Sequence, residues 1–126
     1  MVSCILIDQN PEERLRVQGL LESMGITCLQ CEGPEDGIRQ CQELRPDVVL
    51  MEASRLPAAK DFLRLVRYQG RQNGKPVVLM YSKRADFETM SGSILEGAAE
   101  FLVSPFDRDL LRFKLDQSGI VLAKAA

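Results

Sequence analysis

Short apolar runs alternate with amphipathic stretches of helical length along the whole chain. This alternation is typical of successive β-α-β units wound around a parallel sheet. It predicts five strands and five helices in one α/β domain. The predicted strands are Ser3–Asp8, Ile26–Cys31, Asp47–Glu52, Pro76–Met80 and Ala98–Val103.

Glycine, proline and capping residues set the predicted helix ends. Asn10 and Pro11 predict the start of the first helix, Pro46 stops the second, and Pro57 is expected in a loop before a third helix over 59–72. A fourth helix is predicted over 85–95, and a fifth from Asp107 to Ser118. The residues expected to face inward, helix by helix, are Leu15, Leu20, Leu21 and Met24; Ile38, Cys41 and Leu44; Phe62, Leu63 and Val66; Phe87, Met90 and Ile94; and Leu110, Leu111 and Phe113, or else Lys114 and Leu115.

Composition favours one soluble domain, residues 1–126, in which 118–126 is either a frayed end or the start of a linker. The chain is 45% hydrophobic and 27% charged, as in ordinary globular proteins. We expect a cytosolic protein, because no apolar run approaches the roughly 20 residues that cross a bilayer. The net charge of −2 gives no overall attraction to nucleic acid or to a membrane. Histidine is absent, so histidine-based phosphotransfer by this chain is excluded.

Four cysteines include one C-x-x-C, Cys28 and Cys31, a spacing seen in zinc and thioredoxin-like sites. Both residues fall on a predicted strand, where positions three apart point to opposite faces. The two thiols therefore cannot converge on one ion, and we interpret the cysteines as core residues.

The polar residues at the strand ends are the candidates for chemistry. In an open doubly wound sheet, ligands bind at the carboxyl ends of the strands. The residues at these ends are Asp8, Gln9, Glu52, Tyr81, Ser82 and Ser104.

Four segments resemble the successive strand ends of a response-regulator receiver domain: ILIDQN, PDVVLME, KPVVLMYS and GAAEFLVSPFD. The similarity runs over residues 2–117. It implies a doubly wound, five-stranded, CheY-like parallel sheet with strand order 2-1-3-4-5, and a signalling role without enzymatic activity of its own.

Receivers of this kind accept a phosphoryl group on an aspartate after strand three. They bind Mg²⁺ through an acidic pair and use a small hydroxyl and a lysine beside it. By this resemblance Asp8 matches the first acid, but Gln9 replaces the second and Glu52 replaces the acceptor. Tyr81 replaces the small hydroxyl and Ser104 the lysine. We therefore expect no metal or other cofactor, with Asp8 and Glu52 as the remaining candidate Mg²⁺ ligands.

The alignment leaves two points open. Ser82 could supply the small hydroxyl if the loop shifts by one residue. The stretch from Glu52 to Pro57 is one residue longer than in the family, so that Ala53 is an alternative occupant of the acceptor position.

The leading hypothesis is a degenerate receiver that acts as a phosphorylation-independent interaction module in bacterial signalling. Its partner would be a protein, bound through Phe101 and Phe106 on the helix four to helix five face, or through Arg64 and Arg67 on a basic third helix. The alternative is a receiver still phosphorylated, or permanently activated, at Glu52. A flavodoxin-like ligand-binding protein is less favoured, since no glycine-rich phosphate loop is present. The partner and the oligomeric state stay open.

Overall fold

The computed structural model describes residues 1–74, 76–84 and 86–122, which form five strands and five helices. In chain order these are β1 Ser3–Ile7, α1 Pro11–Ser23, β2 Thr27–Cys31, α2 Pro34–Leu44, β3 Val48–Glu52, α3 Leu56–Asn73, β4 Val77–Ser82, α4 Phe87–Glu96, β5 Glu100–Val103 and α5 Arg108–Gln117. All neighbouring strands are parallel, and their order is β2-β1-β3-β4-β5. The predicted fold class and strand order are confirmed.

Two hydrophobic cores lie on opposite faces of the sheet. The central strands feed both, as expected for strands covered on each side. The first core, between the sheet and helices α1 and α5, includes Leu6, Leu50, Val17, Leu21, Leu111 and Leu115. The second, under α2 and α3, includes Ile5, Val49, Cys41, Phe62, Leu63 and Val66. Cys28 packs against the first core while Cys31 lies in the second, so the two thiols of the C-x-x-C do point to opposite faces.

The first turn of α3 contradicts one prediction. Pro57 was expected in a loop, but it lies in the first turn of a helix that begins at Leu56. Proline is tolerated there because the missing N–H has no partner within the helix. The register of β3 and β4 continues through Glu52 and Tyr81.

Several predicted inward positions are exposed. They are Leu15, Leu44, Phe87, Ile94, Leu110 and Phe113. In α1 the inward side is set by Val17 and Leu21, and Leu15 lies about 200° around the helix from Val17. The other five likewise lie away from the buried residues of their own helices.

Helix α4 turns its small residues toward the protein. Asp86 caps its N-terminus by accepting a hydrogen bond from Thr89 N at 2.8 Å, and the predicted start, Ala85, lies outside the described residues. Thr89 and Ser93 are buried, while a Cβ on Gly92 would lie 3.2 Å from side-chain carbons of Leu56 and Lys60. Glycine and serine are weaker helix formers than alanine, but the small size of Gly92 and Ser93 lets α4 approach α3 closely.

Among the described residues, no helix has the length and apolar character needed to cross a bilayer.

Candidate functional site

The six predicted site residues come together around one cavity of about 290 Å³. Asp8 follows β1, and the β3–β4 register places Glu52 directly beside Tyr81. The strand ends meet here because all five strands run in the same direction. Residues that line the cavity are Asp8, Gln9, Asn10, Glu13, Glu52, Ser54, Tyr81, Ser82, Lys83, Arg84 and Ser104.

Asp8 is almost fully buried, with 4% of its surface exposed. Its Oδ1 accepts a hydrogen bond from Asn10 N at 2.9 Å, so it caps the loop after β1. Its Oδ2 accepts a hydrogen bond from Tyr81 Oη at 2.6 Å. Two donors thus compensate this carboxylate for the loss of water.

Tyr81 supplies the donor through a phenol that stays protonated. Its ring is completely buried and packs edge-on against Phe106, with centroids 5.5 Å apart and planes at 77°. Burial, followed by the hydrogen bond to Asp8, raises the pKa of Tyr81 well above its ordinary value. The phenol ring packs into the first core, and its hydroxyl reaches Asp8, the first acid.

Glu52 and Ser82 are each engaged within their own loops. Both carboxylate oxygens of Glu52 accept a hydrogen bond from Ser54 N at 3.0 Å, and Ser54 Oγ donates to Oε1 at 2.7 Å. Ser82 Oγ accepts a hydrogen bond from Arg84 N at 3.0 Å. Ser82 lines the same cavity as Glu52 and Tyr81, and its assignment as the small hydroxyl, with Ala53 at the acceptor position, stays a prediction.

Ser104, at the lysine position, binds an acid from α1. Its Oγ donates to Glu13 Oε1 at 2.7 Å. Arg16 holds the same carboxylate through both oxygens, at 2.8 and 3.2 Å. These contacts, the Arg16 hydrogen bonds most of all, lower the pKa of Glu13 against the opposing effect of burial.

Arg16 also ties this acid to the loop after β5. Its Nη1 donates to the carbonyl oxygen of Phe106 at 2.9 Å, and its guanidinium lies 5.1 Å from the centroid of the Phe106 ring, close enough for a cation–π contact. Phe106 therefore contacts both Tyr81 and Arg16 and connects the two parts of the site.

Sequence reasoning missed Glu13, Arg16, Lys83 and Arg84. Glu13 looks like an ordinary first-turn acid, since acidic residues stabilise the N-terminus of any helix. Nothing in the sequence therefore indicated its hydrogen bond with Ser104. Lys83 and Arg84 directly follow a flagged strand end, and that adjacency was the available clue.

The residues present do not fit the Mg²⁺ ion that receivers hold at this place. Such an ion requires anionic or carbonyl oxygens free to bind it, whereas Asp8 Oδ2 is taken by a phenol and Glu52 by Ser54. Gln9 offers a neutral amide where a carboxylate is expected. Among the described residues, no three His, Cys, Asp or Glu side chains are grouped to hold a metal.

The interaction candidates are less available than predicted. Phe101 and Phe106 are buried, each in one of the two cores. Arg64 and Arg67 bind Glu96 at the end of α4, at 2.8 and 3.1 Å. Arg67 also donates to the Glu96 carbonyl oxygen at 2.9 Å. Arg64 and Arg67 therefore join α3 to α4.

An apolar surface instead flanks the edge strand β5. Phe87 and Leu95 of α4 are 84% and 86% exposed, and their spacing of eight residues puts them on one side of the helix. Four more apolar side chains are exposed on α4, β5 and α5: Ile94, Val103, Leu110 and Phe113. We call these six residues the β5 face.

Comparison with known proteins agrees with this geometry. The sequence profile of the response regulator receiver domain matches residues 4–116. Protein PilH of Pseudomonas aeruginosa is 26% identical over 113 residues, which cover 88% of this chain and 92% of PilH. Sensor protein GacS of Pseudomonas syringae pv. syringae is 27% identical over 97% of this chain, but the match spans only 14% of GacS.

Solved structures share the fold. The receiver domain of a sensor histidine kinase from Pseudomonas aeruginosa superposes with a TM-score of 0.80 at 23% identity, covering 94% of this chain and 98% of that one. That structure holds a magnesium ion coordinated in its active site cleft. The profile match, which spans most of the chain, shows that this protein belongs to the response regulator receiver domain family of two-component signalling modules.

Proposed function

We propose that this receiver domain acts as a phosphorylation-independent protein-interaction module in a bacterial two-component pathway. The observation that carries the proposal is the hydrogen bond of 2.6 Å from Tyr81 Oη to Asp8 Oδ2. A proton donor occupies the carboxylate oxygen that a metal would need, and both residues are almost fully buried.

The remaining groups support the same reading. Phosphoryl transfer relies on positioning and on stabilising the charge of the transferred group. Ser104 stands in place of the lysine that would supply that stabilisation, and its hydroxyl donates a hydrogen bond to Glu13. Glu52 carries one methylene more than aspartate and turns toward Ser54, so it is neither placed as an acceptor nor paired with a residue that could sense its charge.

The test is an amide NMR titration with Mg²⁺, followed by beryllofluoride as a mimic of the phosphoryl group. We expect shifts no larger than those caused by an equal ionic strength of NaCl. Saturable shifts confined to residues around Asp8 and Glu52 would overturn the proposal and support the alternative of a receiver that is still phosphorylated at Glu52.

The β5 face is the proposed contact surface, in place of Arg64 and Arg67. Its exposed apolar side chains are the kind that mark protein interaction sites. Affinity capture with the wild-type domain as bait, identified by mass spectrometry, should retain a signalling protein that a Phe87→Ser, Leu95→Ser double variant loses. Leu15→Ser, at a 60% exposed position on α1, is the matched control and should retain it. Equal retention by all three baits would exclude this face.

A further inference from the structure

Two cysteines lie side by side on the edge strand β2 and its neighbour β1. The parallel register of β1 and β2 pairs Cys4 directly with Cys28, and both side chains pack on the first core. Neighbouring strands are about 4.7–4.9 Å apart, which falls within the Cα separations found for disulfides, about 4.4–6.8 Å. Both side chains point to the same side of the sheet, from paired positions of the register.

The two thiols differ in their access to solvent. Cys4, on the inner strand β1, is 2% exposed. Cys28 is only partly buried, because β2 is an edge strand. The neighbouring Cys4 thiol lowers the pKa of Cys28 against the opposing effect of burial, whereas the Cys28 thiol and burial together raise the pKa of Cys4. The accessible sulfur is thus the more readily ionised one, as reactive cysteines generally are.

The other two cysteines provide an internal contrast. Cys31 and Cys41 are buried on the opposite face of the sheet. Burial raises the pKa of Cys31 to about 12 and that of Cys41 to about 11. Both therefore remain protonated and shielded from oxidants at neutral pH.

We propose that Cys28 and Cys4 form a peroxide-reactive thiol pair, a modification site separate from the cavity at the strand ends. The Cys28 thiolate attacks hydrogen peroxide and breaks the O–O bond, giving a sulfenic acid and hydroxide. Cys4 then attacks the Cys28 sulfur, forms the disulfide and releases the sulfenic oxygen as water. In total, two thiols lose two hydrogen atoms and one peroxide is reduced to two waters.

The test uses the intact wild-type chain exposed to a small excess of hydrogen peroxide at neutral pH. Mass spectrometry without reductant should show the loss of two hydrogen atoms per chain, reversed by dithiothreitol. Peptide mapping should place the bond between the segments that contain Cys4 and Cys28. Because this measurement needs no substitution, it does not depend on how a variant folds.

Variants then assign the roles. Cys28→Ser should abolish the reaction, and Cys4→Ser should stop it at a sulfenic acid that dimedone traps on Cys28. Cys31→Ser, Cys41→Ser is the matched control and should still form the bond. Absence of the mass loss, a bond that includes Cys31 or Cys41, or a bond only between chains would overturn the proposal.

Discussion

A single phenol hydroxyl determines what the buried carboxylate of Asp8 binds. A buried acid needs compensating partners, and a metal ion or hydrogen-bond donors can supply them. Here the donors are Asn10 N and Tyr81 Oη, at 2.9 and 2.6 Å. Because a metal ion and the phenol would compete for the same oxygen, we expect Tyr81 to stabilise the fold and to weaken metal binding.

Tyr81→Phe should destabilise the domain by about 1–3 kcal/mol, the usual consequence of leaving a buried hydrogen-bonding group without its partner. The ring contact with Phe106 is preserved, so the loss isolates the hydroxyl. Urea unfolding measures the free energy. Tyr68→Phe, at a 66% exposed position, is the control and should change it by less than about 0.5 kcal/mol. Equal effects of the two substitutions would show that the hydrogen bond to Asp8 does not stabilise the fold.

Glu13 makes stability depend on pH. Its pKa in the folded protein lies below the ordinary value of 4.5, so the unfolded chain binds the proton more readily. The stabilising contribution is therefore complete above about pH 4.5 and is lost as the pH falls through the lower folded-state pKa. At neutral pH, Glu13→Gln should cost about 1–3 kcal/mol, since hydrogen bonds to a charged group are lost.

Urea unfolding of wild type and Glu13→Gln across this pH range measures the effect. The difference between the two should stay constant from neutral pH down to about pH 5 and should shrink as the pH falls further. Glu12→Gln, which removes the neighbouring exposed first-turn acid, controls for helix-dipole effects. A difference that is constant with pH would contradict the ion pair as its cause.

At the scale of elements, two helical glycines differ in whether the packing around them leaves room for a side chain. Gly19 lies mid-helix in α1 with nothing within 4 Å of a Cβ built on it, whereas a Cβ on Gly37 in α2 would clash with Ile7 Cδ1 and lie 3.4 Å from Phe62. Gly37 is thus required for α2 to pack closely on β1, while Gly19 has no such role.

Gly19→Ala should stabilise the domain by about 0.5–1 kcal/mol through helix propensity. Gly37→Ala gains the same propensity but forces Ile7 out of its position in the second core, and should destabilise by about 1–3 kcal/mol. The two variants control for each other, because the substitution is identical. Thermal or urea unfolding that gave the same sign for both would refute the packing argument.

The order and type of elements were predictable from the sequence, but the rotation of the helices was not. Alternating apolar runs and helical stretches predict the sheet. For the inward face of α4, hydrophobicity predicts Phe87, Met90 and Ile94, of which only Met90 packs against the second core. In the structure Gly92 and Ser93 lie on the inner side because close approach to α3 favours small residues. A pattern that scores only apolar residues cannot detect such a contact.

The same limit applies to the site. Parallel strands bring their ends together, so the members of the cavity could be predicted from strand positions alone. Which donor binds which acid depends on side-chain length and direction, as in the contact between Tyr81 and Asp8. The Glu13–Ser104 contact, which links residues 91 positions apart, likewise had no local signal.

Over the whole molecule, salt bridges and hydrogen bonds join neighbouring helices and loops. Glu96 joins α4 to α3 through Arg64 and Arg67. On the other face, Arg16 and Glu13 join α1 to the loop that follows β5. The contacts of α1 lie at the cavity, which Glu13 and Ser104 line, whereas the Glu96 contacts hold the helix that carries Phe87 and Leu95. Together they favour one arrangement of the cavity and of the β5 face.

If the proposed function is correct, restoring the family residues should restore a response to metal. The variant combines Gln9→Asp, Glu52→Asp, Tyr81→Thr and Ser104→Lys, which returns the acidic pair, the acceptor, the small hydroxyl and the lysine. Removing the Tyr81 ring leaves a void beside Phe106, with an expected cost of about 3–5 kcal/mol, so a folded amide spectrum is required first. Titration with Mg²⁺ should then give saturable shifts around Asp8 that wild type lacks.

The triple variant that keeps Tyr81 is the matched control and should respond more weakly, because the phenol still occupies Asp8 Oδ2. If the triple and quadruple variants bind Mg²⁺ equally well, the phenol is not the obstacle, and loss of the second acid becomes the better explanation.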